Sequence, residues 1–340
     1  MNAEAADAGA MTVRAIVFAA PGEVVVREDL TPPSVGAGDV EVRSTYTGVS
    51  VGTERNFLTG GSYRLAFPQL AGYQIAGMVT RAGDEVSALS PGDRVFAHLS
   101  WSHPCPGESF TWVGSHASLH VGPAVGNIMA LPDDIPDEEA ALLSIASIGL
   151  HGAIRGGAGP GRRILVYGLG MIGLFAAQAV SALGGEVVAV DRHAKRREVA
   201  AGLGADEVVD SSDQTALWGR LGRLGPFDAV LETSSGPDVI AGLIEGKAVR
   251  SGARIVLLGG RERLDYPFNR AQEMELELVH SMHHSQEDAR RVMTLRSEGS
   301  FHIGPLITHR LAPSEVPGFW RSVLRGSRDH LGVVIDWSRA

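Results

Sequence analysis

Hydrophobic and polar positions alternate in short runs through the first third of the chain, then give way to longer runs at helical spacing. Alternation with period two marks half-buried strands, and recurrence at i, i+3, i+4 marks one face of a helix. AIVFAA and EVVVRE flank Pro21-Gly22, a hairpin signal. DVEVRSTYTGVS, GYQIAGMVTRAG, DRVFAHL, ASLHVGP and NIMALP follow as strands between Gly/Pro turns, which predicts a small barrel or sandwich. The pattern changes near Pro136. DEEAALLSIASIGLHGAIR has helical spacing and an acidic first turn, which complements the helix dipole. Strand–helix pairs then repeat: RILVYG with MIGLFAAQAVSAL, EVVAV with AKRREVAAGLG, EVVD with QTALWGRLG, DAVLE with DVIAGLIEGKAV, and finally ARIVLLG. Such a succession predicts an α/β fold, a doubly wound parallel sheet covered by helices on both faces. From about Met282 the elements are mixed: a helix over EDARRVMTLRSEG, a strand around PLITHRL, a helix after Ser314 and a last strand GVVIDW.

Composition narrows this picture. The chain has 340 residues, enough for two domains, and its hydrophobic share of 44% fits packed cores rather than disorder. The net charge of −9 disfavours nucleic acid as a partner, because phosphate binding needs a basic face. No apolar run is long enough to span a bilayer. The segment MNAEAADAGAM, residues 1–11, lacks the basic start and apolar stretch of a signal peptide, so a flexible tail and a cytoplasmic protein are expected. The single cysteine, Cys105, sits in the loop HPCPGES, where a chance loop cysteine is the simpler reading than a nucleophile with His103 beside it.

Candidate chemistry concentrates in V-Y-G-L-G-M-I-G, where Gly168, Gly170 and Gly173 fall in G-x-G-x-x-G spacing. The pattern is weak alone, but here it follows a buried strand and opens an apolar helix. The first Gly permits a tight turn, the second lets a pyrophosphate approach, and the third lets helix and strand pack closely. The helix start at Met171, Ile172 and Gly173 then faces the phosphates. EVVAV is followed by Asp191, a carboxylate placed to accept ribose hydroxyls and to repel a 2′-phosphate. NAD(H) is therefore expected. NADP stays open, because Arg192, Arg196 and Arg197 would receive a 2′-phosphate if Asp191 turned away, or else form an exposed basic helix start.

Layout and motifs together resemble the medium-chain dehydrogenase/reductase superfamily over nearly the whole chain. The resemblance rests on DVEVRSTYTGVSVGTE, FPQLAGYQIAGMV and DEVSALSPGDRVFA, and on LLSIASIGLHGAIRGGAGPGRRILVYGLGMIG and VAVDRHAKRREVAAGLGADEVVD. It implies a GroES-like β-rich catalytic domain over 12–135 and 283–340 and a Rossmann dinucleotide-binding domain over 136–282. It also implies a homodimer joined through Rossmann sheet edges, with the strand around PLITHRL as the candidate edge. Within the superfamily, S-x-G-T-E followed by G-Y-Q-x-x-G is similar to a zinc-independent subgroup that includes bacteriochlorophyllide hydroxyethyl dehydrogenases and related dehydrogenases of secondary metabolism. G-L-G-M-I-G is similar to the loop of the alcohol and polyol branch and favours carbonyl/alcohol chemistry.

Zinc-dependent members carry C-G-x-C-G-S-D and G-H-E where this chain has Gly48-Val49-Ser50-Val51-Gly52-Thr53-Glu54 and Gly72-Tyr73-Gln74. The ligand Cys and His of that pattern fall on Val51 and Tyr73, and the third ligand position falls at or beside Ile145. Val and Ile have no donor atom, and the four-cysteine structural lobe is gone. No metal site is expected.

Without zinc, side chains must stabilise the oxygen charge that hydride transfer creates and carry a proton. Thr53 matches the Ser/Thr that begins the proton relay in the resemblance, or it caps a turn. Tyr73 donates its phenol to the substrate oxygen, or it fills the space left by the metal. Glu54 orients Thr53 or acts as a base, or it is a buried ion-pair partner of Arg55 or another Arg. His151 falls where relatives often have a Tyr near the nicotinamide, where an unperturbed imidazole suits proton exchange, or it is a hydrogen-bonded residue of its helix. His280, His283, His284 and His302 read as a polar loop rather than a metal cluster. The expected activity is zinc-independent, NAD(H)-dependent interconversion of a secondary alcohol and a ketone on a cyclic or sugar-like metabolite. Its rivals are an NADPH-dependent enoyl or quinone reductase and a non-catalytic NAD-binding protein.

Overall fold

The computed structural model describes residues 12–61, 66–98, 103–104, 111–112, 114–126 and 128–339; the 1–11 segment and Cys105 lie outside the described residues. Two compact units result, Met1–Leu142 with Ile307–Ala340, and Leu143–Leu306.

In the first unit the hairpin forms where the turn signal placed it. Val13–Ala20 pairs antiparallel with Glu23–Leu30, and Ala20 opposes Glu23 across Pro21-Gly22. The long strand Asp39–Val49 organises the rest. It pairs antiparallel with Gln74–Ala82, Leu119–Pro123 and Gly332–Asp336 within a seven-stranded sheet. Helix Val51–Leu58 leaves its end and carries Thr53 and Glu54. Trp320, fully buried on helix Val316–Leu324, meets Phe18 edge-on at 5.8 Å and anchors the core with Leu58 and Val333. The strand of PLITHRL, Ile307–Leu311, is an edge of this sheet, parallel to Gly332–Asp336. It is not a strand of the Rossmann sheet, which corrects the dimer edge read from the sequence. The crossover helix Val316–Leu324 between two parallel strands imitates a Rossmann repeat in the hydrophobic pattern.

The second unit is a Rossmann domain. Its six parallel strands run in the order Glu207–Asp210, Glu186–Asp191, Arg163–Tyr167, Phe227–Glu232, Val249–Leu257, Glu277–His280. Strands buried on both faces are apolar throughout, as Val187, Val188, Ala189 and Val190 show with no exposed surface. The order reverses beside Arg163–Tyr167, the switch point at which such sheets bind ligands. Helix Leu143–Arg155 packs tightly on Met171–Ala182: a Cβ on Gly149 would lie 2.8 Å from the Ala176 amide nitrogen. Helix Gln286–Ser297 in turn packs on Leu143–Arg155 and belongs to this unit, later in the chain than the element pattern divides it.

Candidate active site

The glycine turn has the geometry that its spacing requires. Gly168 takes φ +95°, a left-handed conformation that disfavours any side chain. A Cβ on Gly173 would lie 1.8 Å from the Gly168 carbonyl oxygen, so only glycine allows the helix this close to the turn. Gly170, in contrast, has nothing within 4 Å of its Cβ direction. It is the N-cap of helix Met171–Ala182 and supplies no side-chain cap. The first-turn amides of Met171, Ile172 and Gly173 therefore have no intrahelical acceptor and lie beside open backbone, a cradle for phosphate.

Two neighbours lock this turn. Thr233 donates its hydroxyl to the Gly168 carbonyl at 2.7 Å. Asp191, buried at the tip of its strand, accepts the Leu169 amide at 2.7 Å on one carboxylate oxygen and the His193 amide at 2.8 Å on the other. Each oxygen keeps a second lone pair, so ribose hydroxyls remain chemically compatible. Arg196 approaches Asp191 to 3.9 Å, while Arg197 bridges the Asp191 carbonyl and the Asp210 carboxylate. Arg192 is exposed and donates to the His193 ring. Beyond Thr233, buried Glu232 accepts the amides of Ser234 and Ser235 at 2.8 and 2.9 Å and pairs with Arg261, which shapes the next loop. The donor set and the open cradle fit a nicotinamide dinucleotide.

In the first unit, Glu54 turns away from solvent and is fully buried. Its partner is neither Arg55 nor another Arg, contrary to the expected ion pair. One oxygen accepts the Ser50 amide at 2.8 Å, and the other pairs with Nε2 of His116 at 3.1 Å. His116 is also fully buried, and its Nδ1 lies 2.8 Å from the Thr47 hydroxyl, which accepts the Trp337 indole N–H at 3.1 Å. One proton assignment satisfies every group: Trp337 donates to Thr47, Thr47 to Nδ1, and Nε2–H to the carboxylate. The His116 ring also rests on Gly72, where a Cβ would come within 2.5 Å of it. His116 thus ties the helix carrying Thr53 to the turn carrying Tyr73.

Thr53 is half-buried, one position from inward-facing Glu54, and its hydroxyl has no partner among the described residues. Tyr73 is half-buried and packs at a tilt on His98, ring centroids 5.3 Å apart. Gln74, fully buried, donates to the Gly48 carbonyl at 3.2 Å, and its side-chain oxygen has no hydrogen-bond partner among the described residues. In the second unit, His151 pairs through Nδ1 with Asp288 at 3.0 Å. The other histidines do not converge. His284 bonds Ser144, the His302 backbone bonds Gln178, and His280 and His283 are exposed. Among the described residues no group of three or more His, Cys, Asp and Glu is arranged to hold a metal ion. Val51 and Ile145 have no donor atoms, so the residues at the zinc-ligand positions do not fit zinc.

A β-rich unit with a GroES-like sheet, joined in one chain to a Rossmann unit with this glycine turn, defines a nicotinamide-dependent oxidoreductase. Residues 36–133 match the family described as alcohol dehydrogenase GroES-like domain, and residues 171–298 that described as zinc-binding dehydrogenase. An L-threonine 3-dehydrogenase of Anaeromyxobacter sp. (strain Fw109-5) is 30% identical, over 91% of this chain and 94% of its own. Sorbitol dehydrogenase of Homo sapiens is 27% identical over 87% and 88%. The solved alcohol dehydrogenase TADH from Thermus sp. ATN1 superposes with a TM-score of 0.83 at 24% identity, covering 95% of this chain and 99% of its own. The chain belongs to the medium-chain dehydrogenase/reductase superfamily and is an NAD(P)-dependent enzyme.

Spacing exposed the glycine turn, but it did not expose His116, Thr233, Glu232 with Arg261, or Asp288. His116 and Glu54 are 62 positions apart, and no local pattern links them.

Proposed function

We propose that this enzyme interconverts a secondary alcohol and a ketone on a cyclic or sugar-like metabolite, using NAD(H) and no zinc. What supports this reading is that Val51, Tyr73 and Ile145 stand where the resemblance expects metal ligands, while the Rossmann unit keeps its dinucleotide cradle. Bound nicotinamide supplies hydride transfer; this chain must supply the polar groups around the reacting oxygen. The Thr53 hydroxyl and Tyr73 phenol are the proposed donors to that oxygen. The buried Glu54–His116 pair holds their two backbone segments in place, as preorganised donors require. NAD(H) preference rests on buried Asp191, whose charge opposes a 2′-phosphate. The substrate class rests on relatives named for sorbitol and threonine. The motifs S-V-G-T-E and G-Y-Q support kinship with the zinc-less hydroxyethyl dehydrogenases. The proposed assembly is a homodimer, for which the Rossmann sheet offers the edge strands Glu277–His280 and Glu207–Asp210.

The test is turnover of sorbitol, L-threonine, 2,3-butanediol and ring-borne secondary alcohols with NAD and NADP, beside an enone matched to its ketone. Alcohol oxidation with NAD, in protein containing less than stoichiometric zinc by elemental analysis, is expected. Reduction of the enone but not the ketone by NADPH would replace this reading with a double-bond reductase. Cofactor binding with no turnover of any probe would indicate a non-catalytic NAD-binding protein.

A further inference from the structure

Glu232 ends its strand with a fully buried carboxylate. One oxygen accepts the Ser234 amide at 2.8 Å, the Ser234 hydroxyl at 2.5 Å and the Ser235 amide at 2.9 Å. The other oxygen pairs with Arg261. The Glu232 carbonyl also accepts the amides of Leu258 and Gly259, at 2.9 and 3.1 Å. One residue therefore ties the loop after its own strand to the loop after Val249–Leu257. The two loops interlock, because a Cβ on Gly259 would lie 2.3 Å from the Ser235 hydroxyl oxygen. The first loop also touches the glycine turn: a Cβ on Gly168 would lie 2.8 Å from the Thr233 hydroxyl oxygen and 3.0 Å from the Ser234 amide nitrogen.

The backbone between these contacts is strained. Among the described residues, those with a left-handed φ that are not glycine are Ser235 at +60°, Lys247 at +54° and Glu275 at +51°. Lys247 and Glu275 each follow the C-cap of a helix, where this conformation is ordinary. Ser235 ends no helix, and neighbouring Gly236, which would take the conformation freely, does not take it. A strained residue persists only where its surroundings hold it, and such residues gather at ligand clamps. Linking Phe227–Glu232 to the helix Val239–Glu245 needs neither a strained serine nor a buried ion pair to fix it. The position of the loop supplies the reason. Asp191 and Glu232 end the two strands that flank Arg163–Tyr167, and a dinucleotide lies across this switch point with one mononucleotide to each side. With the adenosine ribose on the Asp191 side, the nicotinamide half falls on the side of Glu232.

We propose that Glu232 and Arg261 are positioning residues for the nicotinamide half of the cofactor, acting by holding the strained loop Thr233–Gly236 against the glycine turn. Neither side chain is required to touch the ligand: Glu232 spends both oxygens on the two loops, and Arg261 spends its charge on Glu232. This rests on the dinucleotide reading of the glycine turn.

The test compares NADH with ADP, which carries the adenosine half and both phosphates but no nicotinamide riboside, by titration of the full chain. NADPH and 2′,5′-ADP are compared in the same way. The double variant Glu232→Gln/Arg261→Met removes the pair without leaving a buried charge unpaired. Its Kd for NADH is expected to rise about tenfold, the worth of roughly one net hydrogen bond, with the Kd for ADP within twofold of wild type. Arg261→Lys keeps the charge but not the planar fork, and should show the same split at smaller size; it carries the comparison if the double variant does not fold. Glu277→Gln/Arg254→Met removes an exposed pair of the same sheet and should change neither affinity. Equal loss of NADH and ADP would make the pair a support of the fold alone, and NADH affinity within twofold of wild type would show that the loop needs no latch; either result overturns the proposal. Wild-type protein that binds neither NADH nor NADPH would instead overturn the dinucleotide reading, and the proposal with it.

Discussion

Glu54 and His116 form a fully buried pair, 3.1 Å between Oε2 and Nε2, that joins two distant stretches of the GroES-like unit. Glu54 also accepts the Ser50 amide, and His116 rests on Gly72, so the pair sets the backbone on both sides of the proposed donors. Removing one partner leaves the other polar and buried without its bond. His116→Ala and Glu54→Ala are each expected to destabilise the fold by about 3–5 kcal/mol. The double variant should cost less than the sum, because each change removes the other's stranded partner. Denaturant unfolding of the three variants measures this; additive losses would show that the two groups do not depend on each other.

That pair also marks the limit of what the sequence reveals. The hairpin at Pro21-Gly22, the Rossmann repeat and the glycine turn were legible because each is encoded within a few residues by periodicity and by glycine's special geometry. Glu54 could be named as a candidate but not given its partner, since His116 arrives from a third segment. Ile307–Leu311 was legible as a strand but not as a member of a sheet: strand, helix and parallel strand read alike in either domain. His151 was legible as a titratable residue, whereas Asp288 reads locally as a capping residue and shows its second bond only in three dimensions.

His120 gives the first unit a pH-dependent stability. It is fully buried, with Nε2 donating to the Ser115 carbonyl at 2.7 Å, and burial lowers its pKa to about 4 from 6.5. Between those values the unfolded chain binds a proton that the folded chain refuses. The stability contributed by the neutral ring is therefore complete above pH 6.5 and is lost progressively as pH falls toward about 4. The total loss is about 3 kcal/mol. His120→Gln, which offers a comparable donor without titrating, is expected to flatten this part of the curve. Unfolding free energies from pH 7 to 4 measure the slope, and identical slopes in both proteins would count against the assignment.

Asp191 should govern both the shape of the cradle and the choice of cofactor. Its bond to the Leu169 amide holds the middle of the glycine turn, and on the proposed reading its charge meets the ribose hydroxyls. Asp191→Ala is expected to weaken NADH binding roughly tenfold to a hundredfold, the loss of one or two charge-assisted hydrogen bonds. NADPH should be affected less, or improve, because Arg192 and Arg196 remain and the repelling charge is gone. Fluorescence titration with both reduced cofactors gives the ratio. Gly173→Ala is the structural control: its methyl group would collide with the Gly168 carbonyl, so both cofactors should be lost together.

The proposed zinc independence makes a prediction about chelators that can be set against the proposed donors. With Val51 and Ile145 unable to ligate and a phenol at Tyr73, prolonged dialysis against EDTA or 1,10-phenanthroline should leave turnover unchanged. The oxygen charge must then be met by hydroxyls, and removing one preorganised donor typically costs about a hundredfold to a thousandfold in kcat. Tyr73→Phe keeps the ring against His98 and deletes only the phenol oxygen, so the packing role survives while the donor role does not. Thr53→Val keeps the branched shape and deletes only the hydroxyl. A fall in kcat of that size in either variant, with NADH affinity intact, assigns the donor. If both variants turn over at the wild-type rate while chelators abolish activity, a metal bound by a different set of residues carries the charge instead.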